Sequence, residues 1–219
     1  VVRSPVALHV AFPGDGQTGG AGYPVSLIGV MAFVRQSFLG AQHYALAAAH
    51  YERNKATGIT RPVHEPASEA MQPALAGTLP VAFEASASRE ILRALAMAKE
   101  FKLKPIITGA READEVAADL KAQNVPVVMS LNFPTRPRTL APDTPVKLAA
   151  SGLPVAFSSF RNDEPGEIFA ALATAKRHGL TDAQALAGLT STPAKLLGVE
   201  GRWGAISPGR SASFVLVDG

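Results

Sequence analysis

Five histidines are the first side chains to weigh for chemistry: His9, His43, His50, His64 and His178. His43 and His50 lie seven residues apart on a helical pattern and so share a face. Two helical turns separate them by about 10 Å, too far to bind one ion. The H-E-x-x-H spacing, which sets two imidazoles on adjacent turns, is absent. His64 adjoins Glu65 in a Pro-flanked loop. His9 sits in an apolar run, and His178 lies near a helix C-terminus where the dipole favours its charge. Each reads as a surface or capping histidine. There is no cysteine, which removes thiolate ligands and disulfides. Ser86, Ser158 and Ser159 lack a G-x-S-x-G elbow, so a serine hydrolase is not expected. Arg35-Gln36 and Arg89-Glu90 read as solvated helix faces. Arg111-Glu112 opens a helix directly after a strand, and its expected roles are a helix cap, a salt bridge or the side chains nearest a pocket.

The elements that would position these residues follow from hydrophobic period. Residues 13–24 are Gly-rich but carry no phosphate-binding spacing, so they read as a loop. Leu27, Val30, Met31, Val34 and Phe38 recur at helical spacing and predict one long helix over 26–54. A short helix is expected over 65–75, ended or kinked at Pro73. Apolar runs at 79–84, 104–108, 125–131 and 153–158 read as strands. Helical patterns at 88–101, 111–123, 146–151 and 165–178 separate or follow them. Each strand opens beside a proline (Pro80, Pro105, Pro126, Pro154), where no ladder bond is lost. Alternating strands and helices predict a parallel sheet with right-handed crossovers, and four βα units make half a barrel.

Composition bounds the function. The 219 residues are 47% hydrophobic and 18% charged, in keeping with one globular α/β domain. A complete (β/α)8 barrel takes about 250 residues. The net charge is +3 and the basic residues are scattered, so no nucleic-acid partner is expected. No run of 18 apolar residues exists, so no membrane span is expected. Both ends read as cut from a longer chain.

The last forty residues carry a further signal. Thr181-Asp182 starts a capped helix, LTSTPAKLLG follows at 189–198, and GRWGAISPGRSASFVLVDG occupies 201–219. This succession resembles the C-terminal signature of the amidohydrolase superfamily. Gly204, Ile206, Pro208, Gly209 and Ala212 match the pattern, while Ser213 stands where Asp is usual. The resemblance extends back to residue 79, where the strands look like strands 5 to 7 of imidazolonepropionase-like members.

The resemblance implies a partial (β/α)8 TIM barrel over residues 1–198, with the helix at 26–54 as an insertion. Residues 199–219 would be a β-hairpin leading into a small composite β-sandwich. It implies hydrolysis of carbon–nitrogen, non-peptide bonds and a zinc ion that lowers the pKa of a bound water. An H-x-H ligand pair would precede residue 1. The strand-5 histidine falls on Glu84, the strand-6 histidine at or beside Gly109, and the strand-8 aspartate on Phe160. Glycine and phenylalanine neither bind a metal nor take a proton. Glu84 is the remaining candidate ligand, Asp163 a displaced candidate base, and Arg111 and Glu112 candidate substrate contacts. The expected function is an amidohydrolase-type domain that has lost its metal site and serves a structural or ligand-binding role. The alternative is an active metal-dependent hydrolase of cyclic amides, imidazolones or dipeptides. The subgroup resemblance further implies a second amidohydrolase domain in the same parent chain and a secreted or periplasmic bacterial protein.

Overall fold

The computed structural model describes residues 2–12, 26–131, 133, 141–158 and 166–216. Five strands, β1 (Leu8–Ala11), β2 (Val81–Ala85), β3 (Pro105–Gly109), β4 (Val127–Ser130) and β5 (Val155–Ser158), form one sheet in the order β1-β2-β3-β4-β5. The β1–β2, β3–β4 and β4–β5 pairs are parallel. This is the α/β arrangement expected of part of a (β/α)8 barrel. The prolines beside the strand starts donate nothing, yet their carbonyls close the ladder. Leu8 N–H donates to Pro80 O at 2.9 Å, Ile107 to Pro126 at 3.0 Å and Val127 to Pro154 at 2.9 Å. Val81, Phe83, Ile107, Val127 and Met129 are fully buried and form the core of the sheet.

Contacts divide the chain into two compact units. One comprises Ala7–Glu84 and Arg93–Pro105; the other comprises Val1–Val6, Ala85–Leu92 and Ile106–Gly219. In the first, the long helix is observed as α1 (Leu27–Arg53), with Ser26 accepting from Gly29 N–H at 3.1 Å as its cap. It buries Val30, Phe38 and Ala41. Phe38 packs on Phe101 at 5.1 Å between ring centroids. Helix α2 (Pro66–Leu75) lies against α1, where Gln72 Nε2 donates to Ala41 O at 2.9 Å. The helix continues past Pro73, whose carbonyl then accepts from Thr78 and Leu79. Between β1 and α1 lies an apolar groove of about 490 Å³, lined by Val10, Val30, Phe33, Val34 and Phe38, with Met71. Among the described residues no helix is long and apolar enough to cross a membrane.

In the second unit one expectation is corrected. The segment 111–123 is not a single α-helix: a 3-10 turn over Ala113–Val116 precedes a short α4 (Ala117–Ala122). The cause lies in backbone bonds made before the helix can start. Ala110 N–H donates to Ala85 O at 2.9 Å and Glu112 N–H to Ser86 O at 2.9 Å. The chain then closes a tight turn, Ala113 N–H to Ala110 O. Helices α5 (Thr144–Ala150), α6 (Gly166–Arg177), α7 (Asp182–Leu189) and α8 (Ser191–Leu196) complete the unit. Helix α7 starts with the expected cap, a full capping box between Thr181 and Gln184. The hairpin expected over 199–219 is not seen among the described residues: 199–216 contain turns and no strand. Ile206, Phe214, Val215 and Leu216 are exposed there.

Candidate functional site

The C-terminal ends of β2 and β3 are where a barrel of this type carries its chemistry. Glu84 is the penultimate residue of β2, opposite Ala11 of β1 in register. Strand alternation turns it away from buried Phe83, and it is exposed. The other residues at these ends belong to the second unit and form a connected network.

Gly109 closes β3 with φ of +87°, and Ala110 follows with φ of +55°. A Cβ at residue 109 would lie 2.9 Å from Ser86 Oγ. The positive φ favours glycine there, and a Cβ would make the Ser86 hydroxyl turn aside. A side chain at residue 109 would be strained by that backbone.

Helix α3 (Ser88–Phe101) begins beside this turn, and two carboxylates close its N-terminus. Glu90 Oε2 accepts from the N–H groups of Ser86 and Ala87 at 3.0 Å each. Glu112 Oε2 accepts from Ser88 N–H at 3.0 Å and from the Ser88 hydroxyl at 3.4 Å. Both anions neutralise orphan donors at the positive end of the helix dipole. Glu90 is 6% exposed, so the Arg89-Glu90 pair is corrected: Arg89 is solvated, but Glu90 is a buried cap. Sequence reading missed it because the residue at the cap position is Ala87, which lacks the hydroxyl of the S/T-x-x-E signature. The faint signal was a glutamate three residues past that position.

Glu112 Oε1 accepts from Arg111 Nη2 at 3.4 Å. Arg111 Nε is buried and has no hydrogen-bond partner among the described residues. Of the two candidate substrate contacts, Glu112 is thus engaged as a helix cap and ion-pair partner, while Arg111 keeps one unused donor. Phe160 and Asp163 lie outside the described residues.

The histidines are not brought together. His9 is exposed on β1, and His43 and His50 are exposed on α1. His50 Nδ1 lies 3.4 Å from Asn54 Nδ2. His64 Nδ1 lies 3.3 Å from Glu69 Oε1, which also accepts from Tyr44 OH at 2.9 Å. Among the described residues no group of three or more His, Cys, Asp or Glu could hold a metal ion.

No protein-family model matches the chain, and no curated protein matches it. Among solved structures, 97% of the chain superposes on an amidohydrolase from Thermotoga maritima MSB8 with a TM-score of 0.84 and 27% identity. The chain spans 57% of that protein's length. A prolidase complexed with N-methylphosphonate-L-proline matches over 94% of this chain and 59% of its own, with a TM-score of 0.51. At 15% identity, that second match is a likeness of fold alone.

Proposed function

Starting from a chain that is related to the amidohydrolase superfamily, we propose that it is a hydrolase-type barrel domain whose own ligand positions have been given over to structure. Its role is to support, or to bind a ligand within, a larger protein. The observation that carries this reading is Gly109. Its left-handed backbone and the 2.9 Å approach of Ser86 Oγ disfavour a histidine there. The zinc that the family relationship implies does not fit the described residues, because Glu84 is an exposed carboxylate outside any trio of ligating side chains.

In this reading Arg111 and Glu112 would border the pocket that remains. Glu112 holds the entrance of α3 in place, and the Nε–H of Arg111 is the donor left for a ligand. A second amidohydrolase domain in the same parent protein is the proposed partner.

One observation favours a second reading, an active metal-dependent hydrolase of cyclic amides, imidazolones or dipeptides: the TM-score of 0.84 to an amidohydrolase. Its ligands would have to come from beyond the described residues, with Glu84 as a helper and Asp163 as base. Turnover of representative cyclic amides, an imidazolone and dipeptides by the intact protein, with and without added zinc, separates the two. The proposal expects no zinc-dependent hydrolysis that Glu84→Ala abolishes. Zinc-dependent turnover lost in that variant would establish the second reading.

A further inference from the structure

Helix α8 ends in a paired turn. Gly198 N–H donates to Lys195 O at 3.0 Å and Val199 N–H to Ala194 O at 2.9 Å, with Gly198 at φ of +64°. This is the Schellman arrangement, and it satisfies the carbonyls inside the last turn while leaving those of Leu197 and Gly198 facing outward. Both are taken by one side chain from the other end of the chain. Arg3 Nη1 donates to Leu197 O and to Gly198 O at 3.1 Å each. A cation at this place also complements the negative end of the helix. The fit is close: a Cβ on Gly198 would overlap Arg3 Nη1.

Beyond this point the chain is tied to itself. Arg202 and Trp203 N–H groups return to Val199 O, and Ser211 N–H returns to Arg202 O, each at 3.0 Å. Arg210 donates to the carbonyls of Glu200 and Trp203. Arg202 lies over the Trp203 ring at 4.6 Å. Residues 199–211 are therefore a self-bonded knuckle that leaves the helix at the residues held by Arg3.

We infer that Arg3 is a clasp that fastens the segment leading into β1 to the base of this knuckle, so that residues 2–6 and 197–203 loosen as one unit. This conformational coupling stands apart from the proposed function. It holds whether or not the domain binds metal, because none of its residues lies at the strand ends discussed above.

The test is made on the intact protein. Removing a charged donor that serves two carbonyls, in Arg3→Ala, should raise amide hydrogen exchange at Val199, Arg202 and Trp203 by about tenfold. The 15N order parameters of Ser4 and Val6 should fall in the same variant, with α3 and β4 unchanged. Gly198→Ala supplies an independent arm. Its destabilisation should be larger in the wild-type background than in Arg3→Ala, because the overlap exists only when Arg3 is present. Loosening of only one of the two segments, or an equal cost of Gly198→Ala in both backgrounds, would overturn the clasp.

Discussion

Glu112, carried by the turn after β3, accepts the backbone N–H of Ser88 at the start of α3 at 3.0 Å. One carboxylate thereby ties the exit of one βα unit to the helix of the unit before it. Glu90 completes the closure from within α3. Acidic side chains at strand ends suggest catalysis when read as a string of letters. Here their oxygens are spent on helix donors.

This assignment predicts stability effects rather than activity effects. Glu90→Ala strips acceptors from the N–H groups of Ser86 and Ala87 and should destabilise the domain by about 2–4 kcal/mol in urea unfolding. Glu112→Ala acts at a less buried cap and should cost about 1–2 kcal/mol. A variant of either residue that melts like wild type would remove the capping role.

Gly109→His tests whether the family position can be refilled. The left-handed backbone and the contact with Ser86 Oγ predict a destabilisation of about 1–3 kcal/mol and no gain of zinc affinity. Zinc titration followed by calorimetry reads both. A stable variant that binds zinc would mean that the site is dormant rather than dismantled.

The α5 entrance predicts a pH signature. Lys147 Nζ lies 2.8 Å from Asp143 Oδ2 and 3.1 Å from Asp114 Oδ2. The hydrogen bond from Lys147 holds the Asp143 carboxyl below its ordinary range, and the bonds to Asp143 and Asp114 hold the lysine above its own. The depressed Asp143 stabilises the fold above its unfolded pKa, and this contribution fades as pH falls through the lowered folded value. The raised Lys147 stabilises below its unfolded pKa, and this fades as pH rises through the elevated folded value. The difference in melting temperature between wild type and Lys147→Met should therefore be flat from about pH 5 to 9. It should shrink on both sides of that window. The exposure of the pair keeps the difference small. A difference that persists in strong acid would contradict the assignment.

What was legible in the sequence was what local pattern controls. The period of Leu27, Val30, Val34 and Phe38 set α1 almost to its observed ends, and Thr181-Asp182 set the start of α7. The prolines at 80, 105, 126 and 154 marked the strand starts because a missing donor is tolerated only there. Non-local bonds were not legible. The 3-10 turn at Ala113–Val116 is imposed by Ala85 and Ser86, more than twenty residues earlier. Glu90 looked solvated because its partners are backbone amides, which leave no letter in a sequence. For the candidate site, the sequence placed Glu84, Gly109, Arg111 and Glu112 near strand ends. The left-handed backbone at Gly109, which disfavours a side chain there, was not legible.

Metal content shows directly whether the strand ends still hold an ion. The intact protein is dialysed against zinc, freed of excess, and analysed for bound metal alongside Glu84→Ala. Neither well-folded protein should hold metal above background. Near-stoichiometric zinc that is lost in Glu84→Ala would contradict this and would place working metal chemistry at the end of β2.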